Sequence, residues 1–444
     1  MTTTRAHAIL AELGIQPTAR LVEARHPVPL ASRLAVDELA WSAVAAASLA
    51  AADLAGAGSV ALDPARIALA YASERYGSID GERPVAFAPL SGFFRAADGW
   101  VRTHGNYPHH ARALLAGLQL PEGSGADAVA TALANLPADA AAQAIASRGG
   151  ICAAVLAEQP PVDHALRLQP LVRVTRLGDA STRALDGRRS TPLAAVRVLD
   201  LTRVIAGPVS TRTLALFGAE VLRIDPPRMP EIAWQHLDTG HGKRSAVLEL
   251  DDPAGRGVLE GLLTSADVVV LGYRPEGLAR LGLSPRELAQ RHPGLVVAQL
   301  SAWGEPDRRG FDSIVQAACG IAWIETRDGV TPGALPAQAL DHSAGYLLAA
   351  AVIAALRRRA QEGGSWLVET SLRRVAAELL GMPRTAEPAD HEAVEPGAHT
   401  QTFEVDGRLV TTVGPAPSFE GGPTAFRPPR PWGEDEPAWP TDQR

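Results

Sequence analysis

From residue 196 onward, short apolar runs alternate with amphipathic or alanine-rich stretches. Residues 196–201 form a compact apolar strand. A turn follows at 203–208, then a helix is predicted over 209–217 with Gly218 as its cap, then a strand over 220–224. Strand, helix, strand is a βαβ unit, which makes the two strands parallel neighbours in an α/β sheet. The pattern recurs as a helix over 252–264 before a strand at 268–271, and a helix over 284–291 before a strand at 295–300. Near-continuous apolar strands suit a sheet buried on both faces. Helices are predicted over 313–324 and 343–360.

Ahead of this section the pattern is different. Residues 1–30 read as irregular or weakly helical, and 36–56 as an alanine-rich helix. Residues 63–76 are predicted as a helix with Pro64 in its first turn. Residues 83–103 read as short strands and turns, and 108–157 as several helices separated by Gly and Pro. The stretch 158–192 has little periodicity and reads as a linker. Residues 382–400 are polar and weakly patterned, and 414–444, rich in Pro and Gly, is expected to be irregular.

The chain also resembles itself. Residues 35–54, AVDELAWSAVAAASLAAADL, match 339–358, ALDHSAGYLLAAAVIAALRR, with an Asp in third place in each, Asp37 and Asp341. An Asp-Gly turn follows in both copies, at Asp80-Gly81 and at Asp406-Gly407. Chance likeness of two alanine-rich segments is the bland alternative. The shared order of features favours a partial duplication.

Composition narrows the function. A net charge of -7 with no long basic run argues against a nucleic-acid partner, although a few converging Arg and Lys side chains still suffice for a small anion. Cys152 and Cys319 give neither a disulfide framework nor metal-ligand spacing, which suits a reducing cytoplasm. Residues 1–10 lack the pattern of a signal peptide. The apolar stretch 346–356 is short for a bilayer, and 41–54 is interrupted by Asp53, so both read as buried helices with no membrane partner. No G-x-G-x-x-G follows the first strand, which argues against a nicotinamide cofactor.

Seven segments then carry a resemblance: VRVLDLTRVIAGPVSTRTLALFGAEVLRIDPP (196–227), GKRSAVLELDDPAGR (242–256), ADVVVLGYRPEGLARLGL (266–283), HPGLVVAQLSAWG (292–304), GFDSIVQAACGIA (310–322), ALDHSAGYLLAAAVIAALRRR (339–359) and WLVETSL (366–372). In this order they resemble the family III CoA-transferases (CaiB/BaiF type), the family that also holds alpha-methylacyl-CoA racemase. The resemblance implies a Rossmann-like large domain with a parallel sheet, a smaller α+β domain, and a homodimer of interlocked subunits. It implies coenzyme A and acyl-CoA as substrates, a carboxylic acid as the other partner, and no metal. The organisation to expect is a partial family repeat over 1–157, a linker over 158–192, the Rossmann-like domain over 193–380, and a truncated small-domain remnant with its tail over 381–444.

By resemblance Asp341 is the nucleophile. A carboxylate there attacks a thioester carbonyl and carries the acyl group as a mixed anhydride, then carries CoA as an aspartyl thioester. A helix N-terminus would favour its ionised form and could stabilise an oxyanion. Taken alone, the same residue is equally well a helix N-cap, and that is the reading preferred for Asp37. The resemblance also places Arg203, Val204, Ile205, Ala206, Leu248, Arg280 and Arg309 against CoA, with Lys243 and Arg244 close by. For each basic residue a solvated or capping charge is the competing account. Gly207 and Pro208 read as a turn that lets the backbone approach the ligand.

Other features are weaker. HGNYPHH (104–110) lacks the carboxylates or helical spacing of a metal site; its histidines read as polar surface, or equally as part of the small domain near the acyl pocket. Trp100, Trp303 and Trp323 are cavity or core aromatics, and Arg357-Arg358-Arg359 reads as a solvated helix end. Two rival functions remain. Acyl-CoA racemisation needs an acid/base pair, and the family's racemases place a His before the Asp where this chain has Phe311 before Asp312. A CoA-binding protein without catalysis is the other.

Overall fold

The computed structural model describes residues 2–305, 308–389 and 394–440. Parts of the two stretches expected to be irregular, 390–393 and 441–444, lie outside the described residues, as does Met1.

The central sheet has seven strands: β1 (Arg173–Gly178), β2 (Arg197–Leu201), β3 (Glu220–Asp225), β4 (Lys243–Val247), β5 (Val268–Leu271), β6 (Val296–Ser301) and β7 (Ser365–Ser371). Their order is β4-β3-β2-β5-β6-β7-β1, all parallel except β1, which runs antiparallel along β7. The fold is therefore α/β with a large, mostly parallel sheet. Successive side chains of a strand face opposite ways, so an unbroken apolar strand feeds two cores. β5 shows this: Val268 and Val270 join one core, while Val269 and Leu271 join the other. The second core is closed by helices contributing Leu259, Leu262, Leu278 and Leu288.

The first core is the larger one, and both halves of the chain build it. Five helices matter below: α1 (Val36–Ala55), α2 (Ala206–Leu216), α3 (Ala233–Thr239), α4 (Asp312–Ala318) and α5 (Ala339–Glu362). α5 packs against both α1 and α2. α1 and α5 are long and apolar enough to cross a bilayer, α5 extending well beyond the apolar stretch 346–356, but here they form the centre of the core. The two similar alanine-rich segments thus pack on each other. Asp53 and Arg357, near the ends of α1 and α5, pair at 3.4 Å. Both Asp-Gly turns have positive φ. Strand Ser78–Ile79 pairs with strand Arg408–Val413, and Asp80 accepts a 2.8 Å hydrogen bond from the Leu409 N–H.

Several local expectations are corrected. The stretch 158–192 contains a helix, Pro160–Arg167, and the edge strand β1. β1 carries Arg173 and Arg176 and is mostly exposed, so main-chain pairing places it without an apolar pattern. β4 opens on Lys-Arg and escaped the sequence reading for the same reason. Residues 2–12 form a helix. The single helix expected over 313–324 is broken at Gly320, whose φ is 93° and whose added Cβ would stand 2.5 Å from Glu158 backbone. The described tail, 414–440, has neither helix nor strand, yet it is fastened: Trp432 Nε1 donates to Asp225 and the Asp435 N–H to the Ser245 carbonyl.

Candidate active site

Between β2 and β5 the chain reverses the direction in which it adds strands, and a crevice opens beyond the carboxyl ends of strands at such a point. A cleft of about 820 Å³ lies there, bordered by Leu201, Ile224, Tyr273 and Ser301 at or just past the ends of β2, β3, β5 and β6. That volume falls in the range of small-molecule sites. Seven arginines line it, Arg203, Arg228, Arg256, Arg274, Arg280, Arg308 and Arg309, alongside Asp225, Glu249, Asp251 and Glu305.

Of the residues expected against CoA, the cleft brings together Arg203, Val204, Leu248, Arg280 and Arg309. Ile205 instead borders a second, smaller cavity. Ala206 borders neither; it is the buried first residue of α2. Gly207 answers to packing rather than to a ligand, since an added Cβ would lie 2.4 Å from Thr202. Lys243 is not a ligand candidate either. It is buried at 2.9 Å from Asp200, also donates to Thr211 and to the Pro208 carbonyl, and burial brings its pKa down to about 8. Arg244 pairs with Asp435 of the tail.

Asp341 stands in the smaller cavity, about 40 Å³, together with His104, Trp234, Gln235, Phe311, Gln338 and His342. Val204 and Phe311 line both spaces and form a common wall between cleft and cavity. The helix begins at Ala339 with Gln338 as its cap residue, so Asp341 is inside the first turn and is not the N-cap. Asp37 likewise sits inside the first turn of α1.

The expected ionising effect of the helix end is outweighed. Asp341 is 6% exposed. Burial first, then the neighbouring Asp312 carboxylate, hold its pKa well above the usual range. Asp312 accepts the Asp341 N–H at 2.9 Å and also bonds Gln316; burial raises its own pKa to about 6. Two adjoining buried carboxyls disfavour double ionisation.

Val204 has φ of 71°, strained for a β-branched residue. Glu231 holds it there, accepting the Val204 N–H at 3.1 Å. The same carboxylate accepts from Tyr107 at 2.6 Å and from Arg223 at 3.0 Å, and Arg203 lies at 3.5 Å. Burial would raise the Glu231 pKa, but Arg223 and Arg203 bring it down to about 2. Tyr107 comes from the HGNYPHH segment, whose His109 and His110 also line the cleft. His104, from the same segment, stacks on Phe311 with ring centroids 4.0 Å apart. Of the alternatives open for this segment, a place near the acyl pocket is the one that matches its position here. Trp234, Gln235 and the arginines at 228, 256, 274 and 308 also went unread: Arg256 and Arg274 lie within the quoted segments without having been singled out, and the others lie outside them.

Among the described residues no group of three or more His, Cys, Asp or Glu could hold a metal ion. Trp303 is buried and donates to the Arg309 carbonyl, and none of the three singled-out tryptophans lines either space. The Arg357-Arg358-Arg359 helix end is not simply solvated: Arg359 pairs with Asp267 at 2.8 Å while buried, and Arg358 donates to the Leu13 carbonyl.

The sequence profile of CoA-transferase family III matches residues 193–419, just over half of the chain. A probable fatty acyl-CoA transferase of Mycobacterium tuberculosis is 33% identical over 206 residues, covering 42% of this chain and 52% of that protein. A formyl-CoA:oxalate CoA-transferase of Rhodopseudomonas palustris is 32% identical over 198 residues, covering 41% and 44%. A crystal structure of the mycobacterial protein aligns with 32% identity and a TM-score of 0.41, over 43% of this chain and 56% of that one. The chain thus spans about half the length of the relatives it matches.

Proposed function

The chain belongs to CoA-transferase family III, and on that premise we propose that it moves CoA from an acyl-CoA donor to a free carboxylic acid, with Asp341 as the covalent carrier. The observation that carries the reading is the adjacency of two spaces. An arginine-lined cleft large enough for CoA shares the Val204–Phe311 wall with the cavity that holds Asp341. Arg203, Arg280 and Arg309 would meet phosphates, and Leu248 would meet the apolar parts of the cofactor. The thioester arm would pass between Val204 and Phe311.

In the proposed cycle an Asp341 carboxylate oxygen attacks the donor's thioester carbonyl, and the C–S bond breaks to release CoA thiolate and leave a mixed anhydride. The thiolate attacks the aspartyl carbonyl and expels the donor acid, leaving an aspartyl-CoA thioester. The acceptor carboxylate then attacks that carbonyl, releasing thiolate and forming a second anhydride. Thiolate attack on the acceptor's acyl carbon yields the new acyl-CoA and returns the Asp341 carboxylate. Because burial and Asp312 raise the Asp341 pKa well above the usual carboxylate range, the ionised fraction able to attack grows with pH, and the rate rises with it. In assays pairing acyl-CoA donors with free acids, Asp341→Ala abolishes transfer. Transfer that survives the substitution rejects the carrier role. The same reading includes the homodimer that the family resemblance implies and the reducing cytoplasm that Cys152 and Cys319 suit, and sedimentation of the full chain tests the former.

One observation favours a second reading, proton exchange at the alpha carbon. Phe311 supplies no proton, but His104 lies against it and borders the Asp341 cavity. Burial lowers the His104 pKa to about 3, so its ring is neutral but a weak base, and it is the position of the ring that favours this reading. Deuterium wash-in at the alpha carbon of an acyl-CoA distinguishes this chemistry from CoA transfer.

A further inference from the structure

Residues 427–439 run along the outer edge of β4, the end strand of the sheet, and bring one side chain to a residue of the arginine-lined cleft. The edge is filled in the manner of a strand. The Asp435 N–H donates to the Ser245 carbonyl at 2.8 Å, and the Ser245 N–H donates to the Asp435 carboxylate at 2.9 Å. That carboxylate also pairs with Arg244 at 3.2 Å and Arg430 at 3.1 Å. Gly433 makes the turn between Trp432 and this anchor. Its φ is 71°, and an added Cβ would lie 2.3 Å from Val247. Before the turn, the Arg430 carbonyl meets His236 Nε2 of α3 at 2.9 Å. Beyond it, Trp439 Nε1 donates to the Leu262 carbonyl at 3.0 Å. Trp432 is therefore tied in place from both sides.

Trp432 Nε1 donates to Asp225 Oδ2 at 3.1 Å. Asp225 ends β3 and borders the cleft. From it a run of charged bonds leads to the cleft wall. Arg223 grips Asp225 at 2.7 and 3.1 Å, and the same guanidinium donates to Glu231 at 3.0 Å. Glu231 in turn accepts the N–H of the strained Val204 at 3.1 Å and stands 3.5 Å from Arg203. The side chains of Arg223, Asp225 and Glu231 are all shut off from solvent. In such surroundings charge-assisted bonds are strong, and each member of the run fixes the next.

Asp225 is also a carboxylate at the border of a space proposed for phosphates, where a loose negative charge would repel the ligand. Arg223 and the Trp432 indole together hold it and offset its charge. We propose that 427–439 act as a strap on the cleft and that Trp432 is a positioning residue for CoA binding. It steadies Asp225 and, through Arg223 and Glu231, sets Arg203 and Val204 for the ligand. This rests on the reading of the cleft as the CoA site and does not depend on Asp341 as the carrier.

The test uses the full chain and CoA itself. Trp432→Phe keeps an aromatic ring and loses the N–H. Titration calorimetry should then show CoA binding about fivefold more weakly, the size of one lost hydrogen bond. In transfer assays KM for the CoA ester should rise by the same factor with kcat within about twofold. Asp225→Asn removes the charge that the indole serves, so adding Trp432→Phe to it should cost less than about twofold. Coupling is reciprocal, so saturating CoA should slow amide hydrogen exchange at Gly433 and Asp435 of the wild type by up to about fivefold. That arm needs no variant, and thermal unfolding checks that Trp432→Phe is folded. Unchanged CoA affinity in Trp432→Phe overturns the inference, as does strap exchange that ignores CoA. A full loss of affinity from Trp432→Phe in the Asp225→Asn background also overturns it, since the strap would then act only through general stability. A wild type that does not bind CoA overturns both the cleft reading and the strap role. CoA binding that responds as expected, with no transfer to any acid, supports the strap and rejects the transferase reading.

Discussion

The Asp312→Asn substitution separates the electrostatics of the site from its packing. Asp312 is fully buried, and burial lifts its pKa from an ordinary 3.8 to about 6. A carboxyl whose folded pKa exceeds its unfolded value is favoured in the folded state while protonated. That advantage is present below about pH 4 and disappears as pH rises through 6, leaving an ionised group at a cost of about 3 kcal/mol, at 1.36 kcal/mol per pKa unit. An Asn at 312 cannot ionise. Its oxygen keeps the bond from the Asp341 N–H, but its NH₂ replaces an oxygen that accepted a bond, a loss of about 1 kcal/mol. The expected result is a variant about 2 kcal/mol more stable than wild type at pH 8, and no more stable at pH 4. Urea unfolding across that range measures it. Removing the neighbouring charge also lets Asp341 ionise more readily, so the alkaline-rising limb of the pH–rate profile moves to lower pH. A variant that is less stable at every pH, with an unmoved limb, refutes the coupling between the two carboxyls.

Three further outcomes follow from the geometry. Phe311→Ala removes half of the wall between cleft and cavity; it should destabilise the fold by about 2 kcal/mol and speed reaction with bulkier acyl donors in stopped-flow assays. Glu231→Gln leaves Arg223 buried with Asp225 alone, a loss of about 3 kcal/mol at neutral pH. Because the folded Glu231 pKa is about 2, its contribution is complete above about pH 4.5 and fades towards pH 2, which denaturation at several pH values will show. Arg280, with a side chain 67% exposed, should contribute about 1 kcal/mol to phosphate binding. Arg280→Ala then raises KM for the CoA ester about fivefold with kcat unchanged, an effect that shrinks in high salt.

Much of this architecture could be read from the apolar rhythm of residues 196–301, because buried parallel strands must be apolar on both faces. β1 and β4 could not, since an edge strand needs only backbone partners. The packing of α1 on α5 was foreshadowed by the repeat, although that likeness did not show the two copies in contact. At the site, five of the residues expected against CoA lie in one cleft, because a strand end and its loop fix position locally. For residues 104–110 a place near the acyl pocket was one open alternative, but their individual contacts were not legible. Tyr107 reaches Glu231, and His104 reaches Phe311, across sequence separations that no motif spans. The ionisation of Asp341 was misjudged for a related reason. The helix end is a local feature, whereas the burial and the Asp312 carboxylate that dominate it come from tertiary packing.

Asp341 as an acyl and CoA carrier is tested most directly by trapping. The chain is mixed with an acyl-CoA donor, quenched with borohydride, digested and mapped by mass spectrometry. The account predicts reduction of the activated Asp341 carboxyl to the corresponding alcohol, dependent on donor and absent from Asp37. An unmodified Asp341 during demonstrable turnover, or an adduct on a different side chain, would contradict it.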